Sequence, residues 1–167
     1  VRDAYRPGRT FSESFLALLE ALLRPSGMVF VDPLDPRMRR LAAPMLERAW
    51  ARREELGQAL AERKRELEQA GFHAQVDTED GTALFFVLEH GARRRAGIAA
   101  APEDPAHWSP NALLRPVMQD WLLPTAVYVG GPAEVAYWAQ SEALHSVLLG
   151  RMPAVLPRAG FTLIDQR

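Results

Sequence analysis

Between residues 109 and 140 the chain reads SPNALLRPVMQDWLLPTAVYVGGPAEVAYWAQ, where prolines and a glycine pair interrupt apolar segments. Asn111, Arg115, Gln119, Gly130, Gly131, Glu134, Tyr137 and Trp138 stand at those interruptions and are the candidate substrate- or nucleotide-binding residues. The glycine pair permits a tight turn with close backbone approach. Pro132 suits the first position of a helix. The free N–H groups at such a helix start attract an anion. Arg115 can grip a carboxylate or phosphate in a two-point fork, and Gln119 lies one turn further on. Together these residues suggest a two-sided anion clamp, for a carboxylate or a nucleotide phosphate, with Glu134 available to orient an amine. The plainer alternatives are a simple strand-to-helix turn at the glycines and an Arg115–Asp120 surface pair. Asn111 could equally do no more than brace its loop. Arg158, after Pro157, is a further anion candidate.

Spacing within the helix expected after Pro132 places Glu134, Tyr137, Trp138, Ser141 and His145 on one face. Val135, Ala139, Ala143 and Val147 then offer an apolar face. The polar-aromatic face suits an amine- or hydroxyl-bearing ligand or, in the plainer reading, solvent around a half-buried Trp138. No GxGxxG or GxxxxGK[ST] phosphate motif is present. His73, His90, His107 and His145 lack metal-ligand spacing and read as surface or loop residues, so no metal site is evident. No catalytic residue is assigned by spacing alone. Arg93, Arg94 and Arg95 read as a solvated strand edge.

These residues need a scaffold. The 167 residues are 48% hydrophobic and 25% charged, with a net charge of −1 and no cysteine. That composition suits one globular domain with a real core. It supplies no general reason to expect nucleic acid as partner. No apolar run reaches the roughly 20 residues of a membrane span. Absence of cysteine fits a reducing cytosol and removes thiolate chemistry.

Periodicity predicts a helix from Phe11 ended by Pro25 to Gly27, then a buried strand in MVFVDP. A long charged helix spans 36–70, kinked or restarted at Pro44. FHAQV, ALFFVLEH and ARRRAGIAA read as strands of a small β-rich insertion over 72–100, and APEDPAHWSPN as a loop. A helix at 116–123, a strand TAVYV, a helix at 132–149 and short strands in MPAVLPR and FTLI complete the alternation. The fold class expected is α/β: a single partial domain, with 1–70 and 101–167 as segments of a layered core.

The words GMVFVDPLDPRMRRLAAP, AGFHAQV, ALFFVLEHGARRR, SPN-x3-RP-x2-Q, GGP-x-E-x2-YW and MPAVLPRAGFTLID occur in this order across nearly the whole chain. Together they resemble the bacillithiol biosynthesis cysteine-adding enzyme family, in its middle portion. The resemblance implies a Rossmann-like core with inserted segments and a ligase that joins cysteine to glucosaminyl malate in the last step of making a low-molecular-weight thiol. It implies ATP or another nucleotide as cofactor, a cytoplasmic enzyme, no membrane partner, and a homodimer formed through a coiled coil in the full-length protein. The family's TGQQ-like, HIGH-like and GEDHD-like words are absent from this sequence, so the chain alone is expected to be incomplete and inactive. The alternative is a truncated, non-catalytic ligand-binding α/β domain of the same fold.

Overall fold

The computed structural model describes residues 2–33, 35–77, 81–89, 92–95, 104, 107–162 and 164. It forms two compact units, Val1–Asp35 and Pro36–Arg167.

In the first unit, α1 (Phe11–Leu23) starts at Thr10. The Thr10 hydroxyl accepts from the Glu13 N–H at 3.2 Å, and the Glu13 carboxylate accepts from the Thr10 N–H at 2.7 Å. This reciprocal capping satisfies two amides that the helix leaves open. Tyr5, Phe11 and Phe15 form a short run of ring contacts. The strand expected in MVFVDP does not form; its described residues are irregular, and Met28, Val29 and Val31 are exposed. An apolar run becomes a strand only where another strand satisfies its backbone, and no strand among the described residues pairs with this one.

The second unit opens with α2 (Pro36–Ala51) and α3 (Arg53–Gln69). The single long helix expected over 36–70 is therefore two. The break falls at Arg52 rather than Pro44, which α2 absorbs. Buried Ala42, Met45, Leu46 and Ala49 hold α2 against the core on both sides of that proline. Arg52 leaves helical geometry and donates to the Val147 carbonyl at 2.7 Å. From α3, Arg63 donates to the Ala139 carbonyl at 2.9 Å and pairs with Glu142.

An antiparallel sheet follows, ordered β2–β1–β3, with β1 at Phe85–Glu89, β2 at Ala92–Arg95 and β3 at Trp108–Pro110. Two expectations are corrected here. FHAQV is not a strand, because Val76 finds its partner in a side chain: Gln140 donates to its carbonyl and accepts from its N–H, both at 2.9 Å. The expected loop APEDPAHWSPN instead ends in β3, which pairs with β1 through Phe86 opposite Ser109. Trp50, Phe85 and Trp108 meet edge-to-face, with centroids 4.7–5.2 Å apart, and seat this sheet on α2. His90 and residues 96–100 lie outside the described residues.

Then come α4 (Leu114–Leu122), β4 (Val127–Gly130), α5 (Pro132–Leu149) and β5 (Ala154–Pro157). Strands β4 and β5 are parallel, with Val127 opposite Ala154 and Gly130 opposite Pro157. A parallel pair needs a crossover, and α5 supplies it. FTLI forms no strand among its described residues; Phe161 and Ile164 are exposed. Val117, Leu144 and Leu148 join α4 and α5 to the core begun by α2 and α3.

Candidate functional site at the Gly-Gly-Pro turn

Strand β4 ends at Gly130 and α5 begins at Pro132, so the turn stands at the carboxyl end of a parallel strand. Open α/β sheets place their ligands at that end. Gly131 has φ −69°, an ordinary extended conformation, so glycine is needed here for space rather than for a left-handed turn. A Cβ on Gly131 would lie 2.8 Å from Arg158 Nη2. One on Gly130 would lie 3.0 Å from the Tyr128 ring and 3.3 Å from Glu134 Cβ. The backbone approach that the sequence suggested for a ligand is thus made by the protein's own side chains.

Glu134 is the centre of this arrangement. Its Oε2 accepts from the Gly131 N–H at 2.8 Å, and its Oε1 accepts from the Tyr128 hydroxyl at 3.0 Å. Glycine has no side chain to return the bond, so this is half of a capping box. The Gly131 amide, then the Tyr128 hydroxyl, then Arg158 and Arg115 hold the Glu134 carboxyl below its usual range. Burial, Glu134 and Tyr137 push the Tyr128 hydroxyl well above the ordinary phenol range, so it remains a donor. An anionic acceptor with two guanidinium groups nearby, beside a helix start, can take a ligand that carries both a cationic amine and a carboxylate.

Over residues 1–100 and 98–159 the chain matches the family described as "Bacillithiol biosynthesis BshC, N-terminal Rossmann-like domain". The chain belongs to this family. The match refines the expected middle portion to the family's N-terminal domain. Proteins named "Putative cysteine ligase BshC" are 47% identical in Solibacter usitatus and 40% in Koribacter versatilis, each across 100% of this chain. The protein of that name in Salinibacter ruber is 33% identical across 99% of the chain. The chain spans about a third of the length of these relatives, 34%, 35% and 34% respectively. No helix among the described residues is long and apolar enough to cross a membrane.

Other residues singled out in this BshC-family domain have different surroundings. Arg115 lies inside α4, one residue after its start, rather than in the extended backbone expected before Pro116. Proline fits because a helix's first turn has no intrahelical acceptor for its N–H groups. Arg115 is exposed, and its charge reaches Glu134. Gln119 is half-buried one turn on. Asn111 is taken up internally: Oδ1 accepts from the Leu113 and Leu114 N–H groups at 2.9 Å, and Nδ2 donates to the Ala83 carbonyl. Tyr137 is half-buried against the core.

The face of α5 that carries Trp138, Ser141 and His145 is the buried one, whereas Val135, Ala139, Ala143 and Val147 are only partly covered. The expected exposure is therefore reversed. Trp138 stacks on Tyr128 at 4.1 Å and on His145 at 5.2 Å. Ser141 donates to the Leu113 carbonyl at 2.8 Å. His145, expected at the surface, is fully buried, with Nε2 2.8 Å from Asp120 Oδ2 and Nδ1 2.9 Å from the Ser141 carbonyl. That carbonyl can only accept, so Nδ1 carries a proton and a second proton lies between Nε2 and Asp120. Asp120 thus pairs with His145 rather than Arg115. No spacing rule links residues 25 apart. Sequence reasoning passed over Tyr128; the signal that could have found it is the alternation of TAVYV, which turns it away from Val127 and Val129. A cavity of about 170 Å³ is lined by Asp120, Thr125, Arg151 and neighbours, and by none of the expected site residues.

Proposed function

We propose that this domain supplies part of the substrate site of a ligase that joins cysteine to glucosaminyl malate, the last step of bacillithiol biosynthesis. The observation that carries the reading is Glu134, held by both oxygens at the carboxyl end of β4 with Arg158 and Arg115 acting on it. Glucosaminyl malate has matching chemistry, an amine on the sugar and carboxylates on the malate. Its carboxylates would lie towards the two guanidinium groups and its amine towards Glu134. A carboxylate held below its usual range is a poor base, so Glu134 orients the amine rather than deprotonating it.

The reaction is formation of an amide: nucleotide-driven activation of the cysteine carboxylate, then attack by the sugar amine, which forms the C–N bond, expels the activating group with its C–O bond broken, and gives up a proton. ATP or a related nucleotide would supply that activation. Arg115, Arg158 and the first amides of α5 fit one phosphate by charge, but Glu134 already faces the same helix start and opposes a polyphosphate there. This favours the malate carboxylate over the nucleotide at the turn. The family reading also carries a cytoplasmic, coiled-coil homodimer for the intact ligase.

The test uses the intact ligase. Arg115→Ala should weaken glucosaminyl malate binding by about 1.5–3 kcal/mol, the usual worth of a hydrogen bond to a charged group. Arg115→Lys should recover only part of it, since lysine lacks the planar fork. Unchanged binding by titration calorimetry in Arg115→Ala would remove Arg115 from the site.

A further inference from the structure

The Glu134 carboxylate does not hold its place unaided. The Tyr128 hydroxyl reaches it at 3.0 Å, and the Tyr128 ring lies on Trp138 at 4.1 Å, with the planes 29° apart. Trp138 is 1% exposed and rests on His145, which is 0% exposed and is fixed by Asp120 from α4 and by the Ser141 carbonyl. An unbroken stack therefore runs from the α4–α5 contact to the carboxylate at the turn. Its upper end carries the hydroxyl that donates to Glu134. Its lower members are buried and cannot swing away without opening the core. A rotamer-rich glutamate side chain normally samples several positions, and fixing it costs on the order of 1–2 kcal/mol in lost freedom. Here Tyr128 and the Gly131 amide have already fixed it before any ligand arrives.

We infer that Tyr128 is a positioning residue that acts through Glu134, presetting this carboxylate to receive an amine and so selecting an amine-bearing sugar over its hydroxyl counterpart. This rests on the proposed substrate site. The discrimination follows from pairing. An ammonium group meets the half-buried carboxylate in both charge and hydrogen bonding, whereas a hydroxyl meets it in hydrogen bonding alone. A site with its polar groups fixed in advance rejects such an analogue more strongly than one that can relax. Tyr128 also contributes to keeping Glu134 ionised, together with the Gly131 amide, Arg158 after β5 and Arg115 on α4; Tyr137 on α5 acts on the Tyr128 hydroxyl. Without the Tyr128 hydroxyl, the titration of Glu134 moves upward, towards the ordinary carboxylate value.

Tyr128→Phe, which keeps the ring on Trp138 and removes only the hydroxyl, is tested in the intact ligase beside Glu134→Gln. Steady-state kinetics are measured with glucosaminyl malate, with its 2-hydroxy analogue as competitive inhibitor, and with cysteine varied separately. Tyr128→Phe should raise KM for glucosaminyl malate about tenfold, the effect of about 1.4 kcal/mol at a charged hydrogen bond. It should also narrow the preference over the hydroxy analogue, leaving KM for cysteine and kcat within about twofold. Carboxyl-carbon NMR should show Glu134 titrating at higher pH in this variant. An equal loss for every substrate, with the preference intact, would mean a purely structural tyrosine and overturns the inference. So would wild-type kinetics in Tyr128→Phe alongside a raised KM in Glu134→Gln, a result that leaves the substrate site itself standing. Wild-type KM in both variants overturns the site and the inference together.

Discussion

At the residue scale, Glu134 and His145 show how similar-looking positions on one helix face come to opposite ends. Both follow the same three-and-four spacing on α5, but Glu134 sits in the first turn, where the chain has just left the sheet. His145 sits about three turns deeper, where α4 covers it. The sequence carries that spacing and carries no signal for which turn is covered. Removing His145 leaves the Asp120 carboxylate buried without the partner of its Oδ2, while its Oδ1 has no hydrogen bond among the described residues. His145→Ala should therefore destabilise the chain by roughly 3–5 kcal/mol in urea denaturation, the usual cost of an orphaned buried charge. Asp120→Asn should cost less, since the amide can still donate to Nε2 of a neutral ring. A His145→Ala midpoint near wild type would show that the pair does not hold the helices.

At the scale of elements, what the sequence revealed and what it hid divide by the kind of partner each segment uses. Helix α4, strand β4, helix α5 and strand β5 satisfy their backbones within themselves or with each other, so periodicity and the proline and glycine punctuation locate them within a few residues. MVFVDP and FHAQV have the composition of strands, but a strand exists only by pairing. The first has no partner strand among the described residues, and the second is met by the Gln140 amide. Conversely, β3 lies in a proline-rich stretch and forms because β1 presents an open edge. The amide of Gln140 thus does for Val76 what a neighbouring strand would do. Gln140→Ala should free both bonds and speed hydrogen exchange at the Val76 amide about tenfold or more, the effect of one to two hydrogen bonds at about 1 kcal/mol each. Exchange at the wild-type rate would mean that packing alone orders the segment.

At the scale of the molecule, β4 and β5 turn Tyr128 towards α5 and leave Val127, Val129 and Leu156 exposed on the opposite face. Parallel sheets are ordinarily covered on both faces. Function was legible at this scale only through the ordered words of the family. Composition alone stopped at an α/β domain. The local chemistry identified the turn, Arg115 and Glu134, but not the tyrosine and the buried stack that hold the carboxylate in place. On the proposed function, the Gly-Gly-Pro turn receives glucosaminyl malate. A crystal structure of the intact ligase with glucosaminyl malate tests it most directly. Malate carboxylate oxygens are expected within hydrogen-bond distance of Arg115 or Arg158, and the sugar amine at Glu134. Glucosaminyl malate bound elsewhere, with Glu134 touched only by Tyr128 and Gly131, would contradict it.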